Sequence, residues 1–192
     1  MNSLAHSFLS GTDEQVIVGN FLGDFVKGNS HTLYPPAIQK GILLHRSIDN
    51  FADNSTIVKQ SILIFKPIYG RYAGIIVDIL YDHLLSTHWN SYTNIQRDVF
   101  IEFTYNSLLK YYHLVPKRAQ QLIPSLVYNN WMRYYASFYG LEKVLSRMAT
   151  RTSLPQHTME CIDVFKRNYK ELELHFQEFF PELQNFVAQQ KE

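Results

Sequence analysis

The stretch Arg71–Trp89, RYAGIIVDILYDHLLSTHW, restricts the fold of this chain more than any other segment. It is apolar over most of its length, yet Asp78, Asp82 and His83 interrupt it where a plain core helix carries Leu or Ala. Residues four apart stack on one face of a helix, so Asp78 and Asp82 should project side by side from a segment whose other positions are expected to be buried. An ionised group taken out of water costs several kcal/mol unless it is paired, protonated or bound to a cation. The fold must therefore supply these carboxylates with a partner, and a metal ion is the leading candidate.

The rest of the chain reads as helix as well. Residues 2–9 form a short apolar helix carrying His6; Thr12 is the expected N-cap of a helix that runs through DEQVIVGNFLGDFVKG and stops at Gly28. Gly19 and Gly23, four apart, leave room for another helix to approach. Pro36 opens a helix of about 36–52 that contains GILLHRSIDNFAD, and Asn54 and Ser55 cap another of about 56–69 that includes Pro67. Beyond Arg71–Trp89, helices are expected over Thr93–His113, from Pro116 with an interruption at Pro124, and over Tyr128–Tyr139 with Gly140 as the stop. Leu141–Ala149 and Pro155–Phe179 follow, with a restart after Pro181. No alternation of period two is long enough for a strand, and there is no repeat or low-complexity linker. The expected fold is all-α, a single-domain helical bundle spanning residues 1–192.

Composition limits the function classes. A chain of 192 residues with 46% hydrophobic and 15% aromatic residues can build a large core. A net charge of +1 argues against a dedicated nucleic-acid binder. The amino-terminal MNSLAHSFLS lacks the pattern of a signal peptide, and no apolar run is long enough for a membrane span. One cysteine, Cys161, cannot form an internal disulfide and is expected to be a small buried hydrophobe in a cytoplasmic protein.

Polar residues in apolar surroundings gather in the first half: His6, Asp24, His45, Asp49, Asp78, Asp82 and His83. The pairs His45/Asp49 and Asp78/Asp82 could supply four ligands from two helices, with Asp24 from a third, as in bundles that hold metals between inward-facing side chains. Carboxylates with imidazoles and no thiolate suit Mn, Fe or Mg better than a structural zinc site. Such an ion activates water and neutralises phosphoryl charge, so hydrolysis of a phosphate ester is the favoured reaction class. Plainer readings stand beside this. His45 with Asp49 could be a helix-stabilising pair worth roughly 0.2–0.5 kcal/mol; Asp24 could pair with Lys27, and Asp49 with Arg46. His83 points about 140° away from Asp78 on a helical wheel, which favours a core role. The aromatic group around Trp131 reads as packing, and His31, His113, His157 and His175 carry no expected role.

The linked segments MNSLAH, GNFLGDFVKG, GILLHRSIDNFAD and RYAGIIVDILYDHLLSTHW resemble the bacterial acyl carrier protein phosphodiesterase family, also called acyl carrier protein hydrolase. The resemblance implies an all-helical, HD-domain-like phosphohydrolase that favours Mn²⁺, with Mg²⁺ or Fe²⁺ as alternatives. It implies removal of 4'-phosphopantetheine from holo acyl carrier protein, giving the apo form. The order Asp82 then His83 reverses the usual His then Asp, so ligand roles do not transfer directly from ordinary HD enzymes. Carried over by motif, Asp24, His45, Asp49, Asp78 and Asp82 are candidate metal ligands or water-orienting groups. His83 and His6 are candidate acids or supporting groups, and Arg46 is a candidate phosphate contact. Carrier proteins are acidic, so Lys27, Lys40, Lys59, Lys66 and Arg71 are candidates for docking the partner. A phosphohydrolase acting on a small nucleotide or other phosphate ester, or a non-catalytic helical interaction protein, would use the same residues differently. Oligomeric state is left open.

Overall fold

A computed structural model describes residues 2–190. Every regular element among them is helical, in agreement with the all-α expectation. The chain divides into two compact units. Among the described residues, one takes Ser3–Asn50 and Trp89–Arg133; the other takes Asn2, Phe51–His88 and residues 134–190.

In the unit built from Ser3–Asn50 and Trp89–Arg133, the helices are α1 (Ser3–Ser10), α2 (Glu14–Leu22) and α3 (Pro36–Asn54, within which the division falls). They are followed by α6 (Arg97–Lys110), α7 (Lys117–Gln120) and α8 (Ile123–Tyr128). The N-cap of α2 is Asp13 and not Thr12: its carboxylate accepts from the backbone N–H groups of Gln15 and Val16. An acidic side chain there also complements the positive end of the helix. α2 stops at Leu22, short of the expected Gly28, and a turn follows. The glycine spacing then does what the sequence suggested. A Cβ on Gly19 would lie 2.1 Å from the Ile38 carbonyl oxygen, and one on Gly41 would lie 2.2 Å from that of Val16, so α2 and α3 touch backbone to backbone. Val18, Leu22, Val26, Ile38 and Ile42 join Leu108, Val115, Ala119 and Ile123 in a buried core beside this crossing.

The other unit contains α4 (Thr56–Tyr69), α5 (Ala73–Thr87), α10 (Phe138–Arg151), α11 (Thr158–Arg167) and α12 (Tyr169–Gln189), with α9 (Trp131–Tyr134) at the division. The central stretch Arg71–Trp89 resolves into α5, preceded by a 3-10 turn over Gly70–Tyr72 and followed by another over Trp89–Ser91. Tyr81 of α5 is fully buried against Phe176 and Phe179 of α12, and its hydroxyl shares a hydrogen bond with Ser61 at 2.8 Å. Ser61 in turn bonds His175 Nδ1 at 2.9 Å, which gives that histidine a structural partner.

Several expected boundaries in the second half are corrected. Gly140 does not stop a helix; it lies inside α10, where the Tyr134 carbonyl comes so close that no Cβ would fit. The expected helix Tyr128–Tyr139 is broken, with Asn130 in the left-handed region at φ 54°. The expected helix Pro155–Phe179 is two helices meeting at Asn168, whose side chain donates to the Val164 carbonyl at 2.8 Å. No restart occurs at Pro181, which sits inside α12. A proline in a helix interior costs about 3 kcal/mol, but Phe176, Phe179, Phe180, Leu183 and Val187 bury on both sides of it. Burying each such side chain is worth about 1.5–3 kcal/mol, enough to keep the helix continuous.

Candidate metal centre

The residues that converge belong to α1, α2, α3 and the turn after α2. α1 presents His6, α2 presents Asn20, α3 presents His45 and Asp49 one turn apart, and the turn presents Asp24. His6 and His45 are buried, at 5% and 6% exposure, and Asn20 is fully buried. The two imidazole rings stack, with centroids 4.2 Å apart and planes inclined by 22°. His45 Nε2 lies 3.0 Å from Asp49 Oδ2 and 3.6 Å from Asp24 Oδ1, and His6 Nε2 lies 3.2 Å from Asp49 Oδ1. The Asp49 side chain is 44% exposed and that of Asp24 74% exposed, so the cluster has a buried imidazole floor and an open carboxylate rim.

Local sequence makes this possible. Gly23 has no side chain because the His45 ring occupies the place: a Cβ there would lie 2.1 Å from His45 Cγ. Arg46, expected to contact a phosphate, donates through one guanidinium nitrogen to the backbone carbonyls of Val26 at 3.0 Å and Gly28 at 2.8 Å. It thereby ties the segment after Asp24 to α3.

Electrostatics follow from the contacts. Burial alone would lower the His45 imidazole, but the carboxylates of Asp24 and Asp49 beside it outweigh burial and raise the group to about 9. Burial would raise Asp49; the charged His45 imidazole 3.0 Å away overcomes this and holds its carboxyl well below the usual carboxylate range. Asp24 is likewise lowered, against its burial, by His45. His6 goes the other way: burial dominates and lowers it in spite of Asp49.

Two observations test whether the cluster fits a metal. His6 Nε2 is a buried polar atom with no hydrogen-bond partner, although it lies 3.2 Å from Asp49 Oδ1. A bare imidazole nitrogen beside a carboxylate is unfavourable unless a cation lies between them. Donor atoms of His6, His45 and Asp49 also lie within 4.8 Å of one another, close enough to share one ion. The donor set fits. Without the metal, a proton on His45 serves as the cation for Asp49 and Asp24.

Asp78, Asp82 and His83 belong to the unit that contains α5. Asp82 is fully buried and Asp78 half-buried. His83, 2% exposed, bonds the Tyr135 carbonyl through Nδ1 at 2.7 Å, and its ring packs against Phe138, Phe165 and Tyr169. Burial pushes this imidazole down to about 4, despite the bond to Tyr135. It is then a neutral ring whose one proton is committed to Tyr135, leaving Nε2 without a proton to give. Asn20 escaped the sequence reading. The available signal was its place in GNFLGD, one helical turn before Asp24 and among apolar residues.

No helix among the described residues is long and apolar enough to cross a membrane. No solved structure matches the chain. The family described as acyl carrier protein phosphodiesterase matches residues 1–183. The chain is 33% identical over 193 residues to the acyl carrier protein phosphodiesterase of Yersinia enterocolitica, covering all of both chains. It is 32% identical over 184 residues to that of Serratia proteamaculans, covering 95% of each, and 32% identical over 182 residues to that of Yersinia pestis, covering 94% of each.

Proposed function

This chain belongs to the acyl carrier protein phosphodiesterase family, and from that membership we propose that it is a metal-dependent hydrolase. It cleaves the phosphodiester that joins 4'-phosphopantetheine to the serine of holo acyl carrier protein, releasing apo carrier protein. The family match, running over residues 1–183, supports reading residues 1–192 as one phosphodiesterase domain. The observation that carries the chemistry is the convergence of His6, His45 and Asp49 on one point, with one buried nitrogen lacking a partner.

His6, His45 and Asp49 would hold the ion, with Asp24 at the open rim, and Mn²⁺ suits this mixed nitrogen and oxygen set, with Fe²⁺ and Mg²⁺ next. When bound, a divalent ion makes water more acidic and offsets charge on a phosphoryl oxygen. Asp24, the most exposed of the four, can orient the attacking water and take its proton. Asp49 keeps its charge at working pH because the charged His45 imidazole beside it holds it ionised. Arg46 supports the rim by fixing the Val26 and Gly28 carbonyls. Asp78 and Asp82 are retained as functional carboxylates to be tested by substitution, and Lys27, Lys40, Lys59, Lys66 and Arg71 as the basic residues that receive an acidic partner. The single buried thiol of Cys161 accords with a cytoplasmic setting.

The test is incubation of the purified protein with holo carrier protein and Mn²⁺, followed by intact-mass measurement for loss of the phosphopantetheine group. Loss is expected with the wild type, and not with chelator or after His45→Ala. Absence of loss with the wild type, or equal loss after His45→Ala, overturns the proposal. Asp78→Ala in the same assay decides whether that carboxylate takes part. A non-catalytic interaction protein would be indifferent to chelator throughout.

A further inference from the structure

We propose that Asn20 is a positioning residue: its amide oxygen holds both imidazoles of the cluster with the proton on Nδ1, so that Nε2 is the nitrogen each presents to Asp49. The argument starts from Ser10, whose hydroxyl donates to the His6 carbonyl at 2.9 Å and so has only a lone pair left for Asn20. The Asn20 atom 2.9 Å from that hydroxyl oxygen also lies 3.0 Å from the His6 carbonyl oxygen. Facing two acceptors, it must be the amide NH₂. The opposite amide atom is therefore the carbonyl oxygen, an acceptor only.

That oxygen lies 2.8 Å from His6 Nδ1 and 3.3 Å from His45 Nδ1. Both ring nitrogens must donate to it, and one carbonyl oxygen has the two lone pairs this needs. The two rings are thus turned the same way within their stack. Histidines that ligate metals are commonly oriented by a hydrogen bond to the other ring nitrogen, and loss of that partner costs about 10–100-fold in affinity. Here one side chain, fully buried and anchored to α1, serves two rings from two helices. The consequence for metal binding rests on the function proposed above; the tautomer assignment does not.

The test is long-range ¹H–¹⁵N correlation of the histidine rings in the metal-free protein, paired with Mn²⁺ titration by calorimetry. For the wild type, His6 should show a protonated Nδ1 and an unprotonated Nε2. Asn20→Leu should release this preference and weaken Mn²⁺ binding about 10–100-fold, while Asn20→Asp, which keeps an acceptor for both rings, should retain the Nδ1 proton and most of the affinity. A wild-type His6 with its proton on Nε2 overturns the assignment, and that spectrum decides even if a variant fails to fold. Equal loss of affinity in both variants at unchanged helicity would reduce Asn20 to packing and also overturn it. The expected His6 spectrum in a wild-type protein that binds no Mn²⁺ upholds the role of Asn20 and removes the metal from the proposed function.

Discussion

His45 and His83 are both almost fully buried, and the protein treats them in opposite ways. His45, on α3, meets two carboxylates and an amide oxygen and is raised to about 9. His83, on α5, meets a single backbone carbonyl inside an aromatic cage and is pushed down to about 4. Burial is common to both; it accounts for the neutral His83 and not for the charged His45. The partners decide: desolvation lowers any imidazole, and only charges within hydrogen-bonding distance reverse the sign. The stretch that looked most reactive in the sequence therefore holds a neutral histidine, and the less conspicuous HRSID segment holds the charged one.

The sharpest way to break this contrast is to remove each ring in turn. His45→Ala should reduce phosphopantetheine release on the order of 100-fold or more, since it removes a direct donor where loss of a supporting partner alone costs about 10–100-fold. His83→Ala should instead lower the melting temperature and leave the activity of the folded fraction largely intact. Equal activity losses would erase the distinction.

The pH dependence of stability comes next. The folded His45 is raised above its ordinary value, so its contribution to the metal-free protein is complete below about 6.5 and is lost as pH rises through about 9. The shift corresponds to about 3 kcal/mol, measurable as a falling urea midpoint between those pH values. His83, lowered in the fold, works in the other direction: its burial destabilises the folded state below about 6.5, increasingly until pH reaches about 4. Asp49, held low, adds stability that is present above the usual carboxylate range and is lost in strong acid. A urea midpoint that does not fall in the alkaline range in the wild type, or that still falls in His45→Ala, would contradict the assignment.

Gly23→Ala probes the same ring sterically. The added methyl must displace the His45 imidazole, at a cost of about 1–3 kcal/mol as for other overpacked sites. Mn²⁺ affinity measured by calorimetry should drop while α5 and its histidine are unaffected. The smallest effect is expected from Arg46→Ala, which leaves two partly exposed carbonyls to water and should cost about 1 kcal/mol by chemical denaturation. A much larger loss of activity than of stability in that variant would return Arg46 to the phosphate.

Much of this was legible in the residues themselves. The helical period gave the bundle, and Gly19 and Gly23 of GNFLGD gave a close helix approach, because glycine spacing is a local property of a helix; that the partner is α3, through Gly41, only the fold shows. The His45/Asp49 pair was likewise readable from one turn of one helix. The failures have a common cause. Pro181 signals a break by its local cost, which burial along α12 overrides, and Gly140 signals a stop by the habit of glycine to end helices, whereas a nearby carbonyl requires it inside α10. From the sequence His6 is a candidate acid or supporting group and not a ligand, since nothing local to α1 shows which side chains it meets. Asn20 gives no such signal, because an uncharged amide inside an apolar helix implies no buried charge to satisfy.

The sequence by itself determined that the chain is helical, that it must satisfy acids and imidazoles inside apolar segments, and which family it resembles. Tertiary structure alone decided which of those groups work together. His6, Asn20 and His45 are brought into one hydrogen-bonded set by residues 14 and 25 positions apart in the chain. Hydrogen bonds and ionisation depend on distances of a few ångströms between side chains, and helical periodicity sets such distances only within a turn, never between helices.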